Sequence, residues 1–143
     1  MMNRTQVHYT KPEERRWYVV SAADATLGRI AARVATVLRG KHRATFSPHT
    51  DGGDFVIVTD VERIRVTGDK PRQKLYYRHS GHPGHLRSEE LRHLLGRRPG
   101  EVMMRAVRGM LPHNRIGARM LKRLRVYTGS EHPHEAQQPL PLP

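Results

Sequence analysis

Trp17-Tyr18-Val19-Val20 and Phe55-Val56-Ile57-Val58-Thr59, with the stretch from Leu27 to Arg39 between them, decide the fold. The two outer runs are short and apolar, and rich in β-branched and aromatic side chains, as buried strands are. In the middle stretch Leu27, Ile30, Ala31, Val34, Ala35 and Leu38 recur at helical spacing and make one apolar face, with Arg29 and Arg33 on the polar side. Ser21 to Thr26 reads as a turn, with Asp24 and Thr26 as cap candidates, and Gly40 is a natural C-terminal stop. Strand, helix and strand in that order make a βαβ unit, which needs a parallel, right-handed crossover.

Outward from this unit the pattern is less regular. Lys41 to Gly53 reads as a loop, with Pro48 and the Gly52-Gly53 pair. Ile64-Arg65-Val66 and Leu75-Tyr76-Tyr77 read as short strands around a turn at Gly68-Asp69-Lys70-Pro71. Ser88 to Leu95 predicts a helix, with Ser88 as cap and Glu89 and Glu90 in its first turn. Pro99 suits the first position of the next helix, whose apolar face is Val102, Met103, Ala106, Val107 and Met110 and which Pro112 ends. Asn114 caps a last helix with Ile116, Met120, Leu121 and Leu124 on its apolar side, and Arg125-Val126-Tyr127 offers a final strand. The reading divides the chain into an arm over 1–16, an α/β domain over 17–129 and an extended tail over 130–143, kept open by its prolines.

Charge bounds the function. The chain of 143 residues carries 26 Lys and Arg against 13 Asp and Glu, a formal net charge of +13, with ten His besides. Such an excess repels itself, and a polyanion relieves it; nucleic acid also gains from the release of phosphate counterions. An anionic membrane is the competing partner, but it requires an apolar face or a lipid anchor. No lipidation motif and no apolar run long enough to span a bilayer occurs, and Met1 to Arg16 lacks the apolar segment of a secretory signal. Of the 26 cations 21 are Arg, the residue whose planar fork suits phosphate and stacks on bases. Cysteine is absent, which excludes disulfides, thiolate nucleophiles and Cys-ligated zinc and fits a cytosolic protein.

The largest concentration of charge runs from Arg97 to Arg125. Arg97, Arg98, Arg105, Arg108, Arg115, Arg119, Lys122, Arg123 and Arg125 face Glu101 alone there, a net +8. On the last helix Arg115, Arg119 and Lys122 fall at i, i+4 and i+7, a stripe that tracks a phosphate backbone, and Arg123 adds to it. A solvated helix face is the plainer account of such a stripe, but the acids that would balance it are missing. Arg39-Gly40-Lys41-His42-Arg43 is a second cluster, partly explained by cations offsetting a helix dipole. Lys70, Arg72 and Lys74 precede Leu75-Tyr76-Tyr77-Arg78-His79, where aromatics alternate with cations; these Tyr either pack in the core or stack on bases. The RNA-binding set expected from the sequence is therefore Arg29, Arg39, Lys41, His42, Arg43, Lys70, Arg72, Lys74, Arg78, His79, His82, Arg105, Arg108, Arg115, Arg119, Lys122 and Arg123.

Other chemistry finds little support. His79, His82 and His85 have a spacing reminiscent of metal ligands but lie among Gly81, Pro83 and Gly84, where no helix aligns them. Asp51, Asp54, Asp60 and Glu62 are the only candidates for a two-metal nuclease centre, and nothing in their spacing fixes a geometry. No Walker loop, dinucleotide fingerprint or nucleophile elbow occurs. The sequence predicts no catalytic residue, no cofactor, no metal and no small-molecule substrate.

Val107-Arg108-Gly109-Met110-Leu111-Pro112, then Gly117, then Leu124-Arg125-Val126-Tyr127-Thr128-Gly129 resembles the signature of the large-subunit ribosomal protein thirteen family, of the bacterial type. Trp17-Tyr18-Val19-Val20, Leu27-Gly28-Arg29-Ile30-Ala31, Gly40-Lys41-His42, Gly53-Asp54-Phe55-Val56, Val66-Thr67-Gly68 and His132-Pro133-His134 extend the likeness in order, over roughly residues 17–138. Two positions depart from the family pattern: Ser21, where Asp is frequent, and Asp60, where Asn is usual. The resemblance implies an α/β protein, a three-layer α/β/α fold with a small, mainly parallel sheet, basic helices and extended termini. It implies a structural constituent of the cytoplasmic large ribosomal subunit, bound to large-subunit (23S-type) rRNA early in assembly and touching neighbouring ribosomal proteins. An RNA chaperone or regulator outside the ribosome is the alternative, distinguished by a free pool in a sucrose gradient.

Overall fold

Alternation of side chains along three parallel strands sorts the sheet into two faces. A computed structural model describes residues 8–143, so the first seven residues of the expected arm lie outside it. Strand β1 (Trp17–Ser21) pairs in parallel with β2 (Phe55–Thr59), and helix α1 (Leu27–Arg39) makes the crossover. Strand β5 (Leu124–Val126) adds to the far side of β2, with Val56 opposite Leu124 and Val58 opposite Val126. One face of the sheet thus presents Tyr18, Val20, Val56, Val58, Leu124 and Val126 to a single hydrophobic core.

Helices cover that face. Alpha-helix α1 buries Leu27, Ile30, Ala31, Val34, Ala35, Val37 and Leu38, and ends in Gly40 at φ +84°, the left-handed conformation that glycine adopts most readily. The chain then runs through α2 (Lys70–Gln73), strands β3 (Leu75–His79) and β4 (Leu86–Glu90), α3 (Leu91–Arg97), α4 (Pro99–Met110) and α5 (Arg115–Leu121). Leu91 and Leu94 of α3, Val102, Met103 and Val107 of α4 and Met120 of α5 complete the core. Pro99 stands at the start of α4 as expected. The Asn114 side chain accepts a hydrogen bond from the Gly117 amide at 2.9 Å, which starts α5.

The other face carries Trp17 stacked on Phe55 at 4.3 Å and Ile57, which is fully buried. His134 of the C-terminal segment lies 4.8 Å from the Trp17 ring and hydrogen-bonds the Tyr127 hydroxyl at 2.8 Å. The segment continues through a 3-10 turn at Glu135–Gln137 to β6 (Leu140–Pro141), which pairs in parallel with β1. The sheet order is β5-β2-β1-β6, all parallel, and the expected α/β class with a small, mainly parallel sheet is what the chain forms.

Three local expectations are corrected. Ser88, Glu89 and Glu90 lie in β4, not in a helix: pairing with β3 outweighs their helical pattern, Leu75 sitting opposite Glu90 and Tyr77 opposite Ser88, and the helix begins only at Leu91. Ile64-Arg65-Val66 makes no strand. Only Arg65 forms an isolated bridge, to Thr26, while Ile64 and Val66 pack against the core. The tail, aperiodic in sequence, supplies a strand, because the edge of β1 offers unpaired backbone groups and Leu142 donates to the Val19 carbonyl at 3.1 Å.

Candidate nucleic-acid interface

Cations that already hold a carboxylate are poor candidates for phosphate, so ion pairs sort the expected set. Arg123 is the clearest correction. It is buried, with both terminal nitrogens on Asp51, at 2.5 and 2.7 Å, and a further bond at 3.1 Å to the Leu38 carbonyl at the end of α1. It ties the loop before β2 to the chain entering β5 and is withdrawn from the surface stripe. Arg15 adds to this knot through the Asp51 carbonyl at 3.1 Å; burial, then the adjacent Arg123, lower its pKa, against the pull of Asp51.

His42 and Arg43 also turn inward. Asp54, with no exposed surface, accepts from the Arg16 amide at 2.9 Å, meets His42 Nε2 at 2.7 Å and is held by the Arg43 guanidinium. A fully buried carboxylate needs such partners, because desolvation otherwise disfavours its charge. The acid considered for a nuclease centre is thus enclosed in a structural ion pair. Of the Lys41–Arg43 trio only Lys41 is exposed. Arg39 lies over the Phe46 ring at 5.8 Å.

The run from Arg97 to Arg125 is partly neutralised in the same way. Arg97 makes two 2.8 Å bonds to Glu89. Arg105 meets Glu101 at 2.5 Å and covers the Tyr76 ring at 5.0 Å. Tyr76 is half-buried, with Lys74 Nζ 5.4 Å from its ring centre; burial raises its pKa, and Arg105 opposes that shift. Arg108, Arg115, Arg119, Lys122 and Arg125 are exposed and hold no carboxylate among the described residues. Arg29 on α1 is exposed and unpaired likewise.

A second surface was less visible in the sequence. Between Lys70 and Ser88 there are five Lys or Arg, three His and no acid. Strands β3 and β4 form a two-stranded antiparallel ribbon outside the main sheet, with Tyr77 61% and Leu86 60% exposed. Arg78 sits directly opposite Arg87, an arrangement that repels in isolation. Neither has a carboxylate partner among the described residues, and with Ser80 and His85 they line a cavity of 260 Å³. Lys70, Arg72, Lys74, Arg78, His79 and His82 are all exposed here. His79 accepts from the Gly81 amide at 2.9 Å, and the His82 and His85 rings lie 5.7 Å apart. Sequence reasoning did not single out Arg87, because the helix expected from Ser88 hid the hairpin; the acid-free run of 19 residues was the available signal. Among the described residues no group of three or more His, Asp or Glu is placed to hold a metal ion, and no helix is long and apolar enough to cross a membrane.

The fold and these two unbalanced surfaces define a small, basic α/β protein. The family model described as Ribosomal protein L13 matches residues 15–133. The large ribosomal subunit protein uL13 of Synechococcus sp. (strain WH7803) is 53% identical over 141 residues, covering 99% of this chain and 94% of the relative. That of Symbiobacterium thermophilum is 52% identical over 141 residues, covering 99% of each, and that of Roseiflexus castenholzii is 52% identical over 136 residues, covering 95% and 93%. The chain belongs to the ribosomal protein L13 family.

Proposed function

We infer that this chain is a structural constituent of the large ribosomal subunit in the cytoplasm, binding large-subunit rRNA through two surfaces, and that it is not an enzyme. The carrying observation is the pairing of family membership with cations left free of acids. Arg108, Arg115, Arg119 and Lys122 form one surface, and Lys70, Arg72, Lys74, Arg78 and Arg87 the other. The ribbon packs on the domain through Tyr76, but its exposed arginines oppose one another with no acid beside them, which an RNA backbone laid against it best accounts for. RNA duplexes expose their backbone and 2′-hydroxyls on a shallow minor groove, which suits contact through shape and phosphate. Binding early in subunit assembly and contact of the termini with neighbouring ribosomal proteins belong to the same reading.

Sedimentation of cell lysate through a sucrose gradient tests it. The chain should travel with large subunits and their precursors and leave them as salt rises. A dominant free pool would favour the regulator or chaperone reading instead.

A further inference from the structure

The junction of α4 and α5 forms a groove of 480 Å³ between the cations Arg108 and Lys122. Its volume falls within the range of small-ligand sites. Met104 (41% exposed), Leu111, Ala118 and Leu121 give it an apolar wall, while Arg108, His113 and Lys122 stand among the residues around it. No carboxylate lines it. The elbow that shapes it is rigid, since a Cβ on Gly117 would come within 1.8 Å of the Pro112 carbonyl oxygen. The side-chain oxygen of Asn114 is engaged in capping α5, which leaves its amide N–H groups as donors beside the groove.

We propose that this groove receives one unpaired nucleotide of the bound RNA, its base lying against Met104 and Leu121 and its phosphate meeting Arg108 and Lys122. The inference rests on the rRNA-binding reading and deepens it by assigning a base-holding site. Charge complementarity selects the occupant: an apolar slot among cations, on a face that also exposes Arg115 and Arg119, suits a group that is flat and apolar at one end and anionic at the other. A methionine sulfur makes favourable contacts with an aromatic ring, which a nucleobase supplies. Single-stranded loops and bulges are where RNA offers such bases.

The test uses the full chain bound to a 23S-type rRNA transcript, mapped by dimethyl sulfate and 2′-hydroxyl acylation. Ala118 is exposed and lines the groove, so Ala118→Trp fills it while removing no charged side chain. One unpaired nucleotide protected by the unaltered chain should become reactive, and affinity should fall about tenfold with the salt slope falling by about one at most, as the contacts of a single phosphate are lost. If every protection survives Ala118→Trp in a variant that melts like the parent, the groove holds no base and the proposal is overturned. A photoreactive methionine analogue at Met104 gives an independent readout. A crosslink to a single nucleotide supports the site, and crosslinks confined to a protein segment overturn it. Failure of the unaltered chain to bind the transcript would instead sink the underlying reading.

Discussion

Ser21 at the end of β1 donates a hydrogen bond to Asp60 just beyond β2, Oγ to Oδ2 at 3.0 Å. Both positions read in the sequence as departures from the family resemblance, and in the fold they are partners. Asp60 adopts φ +53°, a left-handed conformation that Asn and Asp tolerate better than most residues. With a hydroxyl at position 21, a carboxylate at 60 is a good acceptor; with a carboxylate at 21, it would face a second negative charge. Ser21→Asp alone should therefore destabilise the fold by about 1–2 kcal/mol, and adding Asp60→Asn should restore most of that loss. Urea denaturation of the four members of the cycle measures the coupling, and simple additivity would refute it.

The two classes of arginine should separate in two different assays. Arg123→Ala removes a buried guanidinium and its bidentate bonds to the part-exposed Asp51, which keeps only Arg15 at 3.6 Å, at a cost of about 1.5–3 kcal/mol. It should leave the salt dependence of RNA binding unchanged in whatever fraction remains folded. The triple variant Arg115→Ala, Arg119→Ala, Lys122→Ala should melt like the parent while its log–log salt slope falls by about two to three. The opposite assignment of effects would overturn the division between structural and interface cations.

What the sequence revealed follows from how local the signal was. The βαβ unit is written in side-chain periodicity, and the Pro99 start and Asn114 cap are chemistry of adjacent residues. Arg123 was misplaced because its partners, Asp51 and the Leu38 carbonyl, lie far along the chain, and nothing near it in sequence marks it as internal. Ser88-Glu89-Glu90 was misread because its helical cues are local, whereas its strand state depends on pairing with Leu75-Tyr76-Tyr77. Strand β6 has no pattern of its own and exists because β1 has an open edge. Among the candidate interface residues, charge marks the set, and ion pairing shows which of them hold no carboxylate.

Gly117 should tolerate no side chain. A Cβ there would lie 1.8 Å from the Pro112 oxygen, and the obstacle is backbone. Gly117→Ala should cost on the order of 3 kcal/mol by forcing α5 away from α4. Thermal unfolding measures this, and a melting temperature within a degree of the parent would show that the elbow is not rigid.

His134 links pH to the closure of the sheet's second face. Burial, then Arg125 and His132, hold its imidazole below the ordinary value. A histidine with a lowered pKa in the folded state takes up its proton more readily when unfolded. Its contribution to stability is thus complete above about pH 6.5 and is lost as pH falls below that value. Urea midpoints measured from pH 7.5 to 5 should decline, and His134→Gln should flatten the decline; an equal slope in both proteins would remove His134 as the cause.

The opposed arginines of the ribbon predict a trade between stability and binding. Arg78 and Arg87 face each other across β3 and β4 with no carboxylate among the described residues to separate their charge. Replacing one by an acid, Arg87→Glu, converts repulsion into a cross-strand ion pair and should stabilise the free chain by about 0.2–1 kcal/mol. The same change puts a negative charge where RNA phosphate is proposed to lie, so affinity for the rRNA transcript should fall and the salt slope should drop by about one to two. Amide hydrogen exchange over 75–90 reads the first effect, and filter binding across a salt series reads the second. A ribbon that exchanges more slowly in the variant yet binds RNA as tightly as the parent would show that these two arginines face solvent and not phosphate.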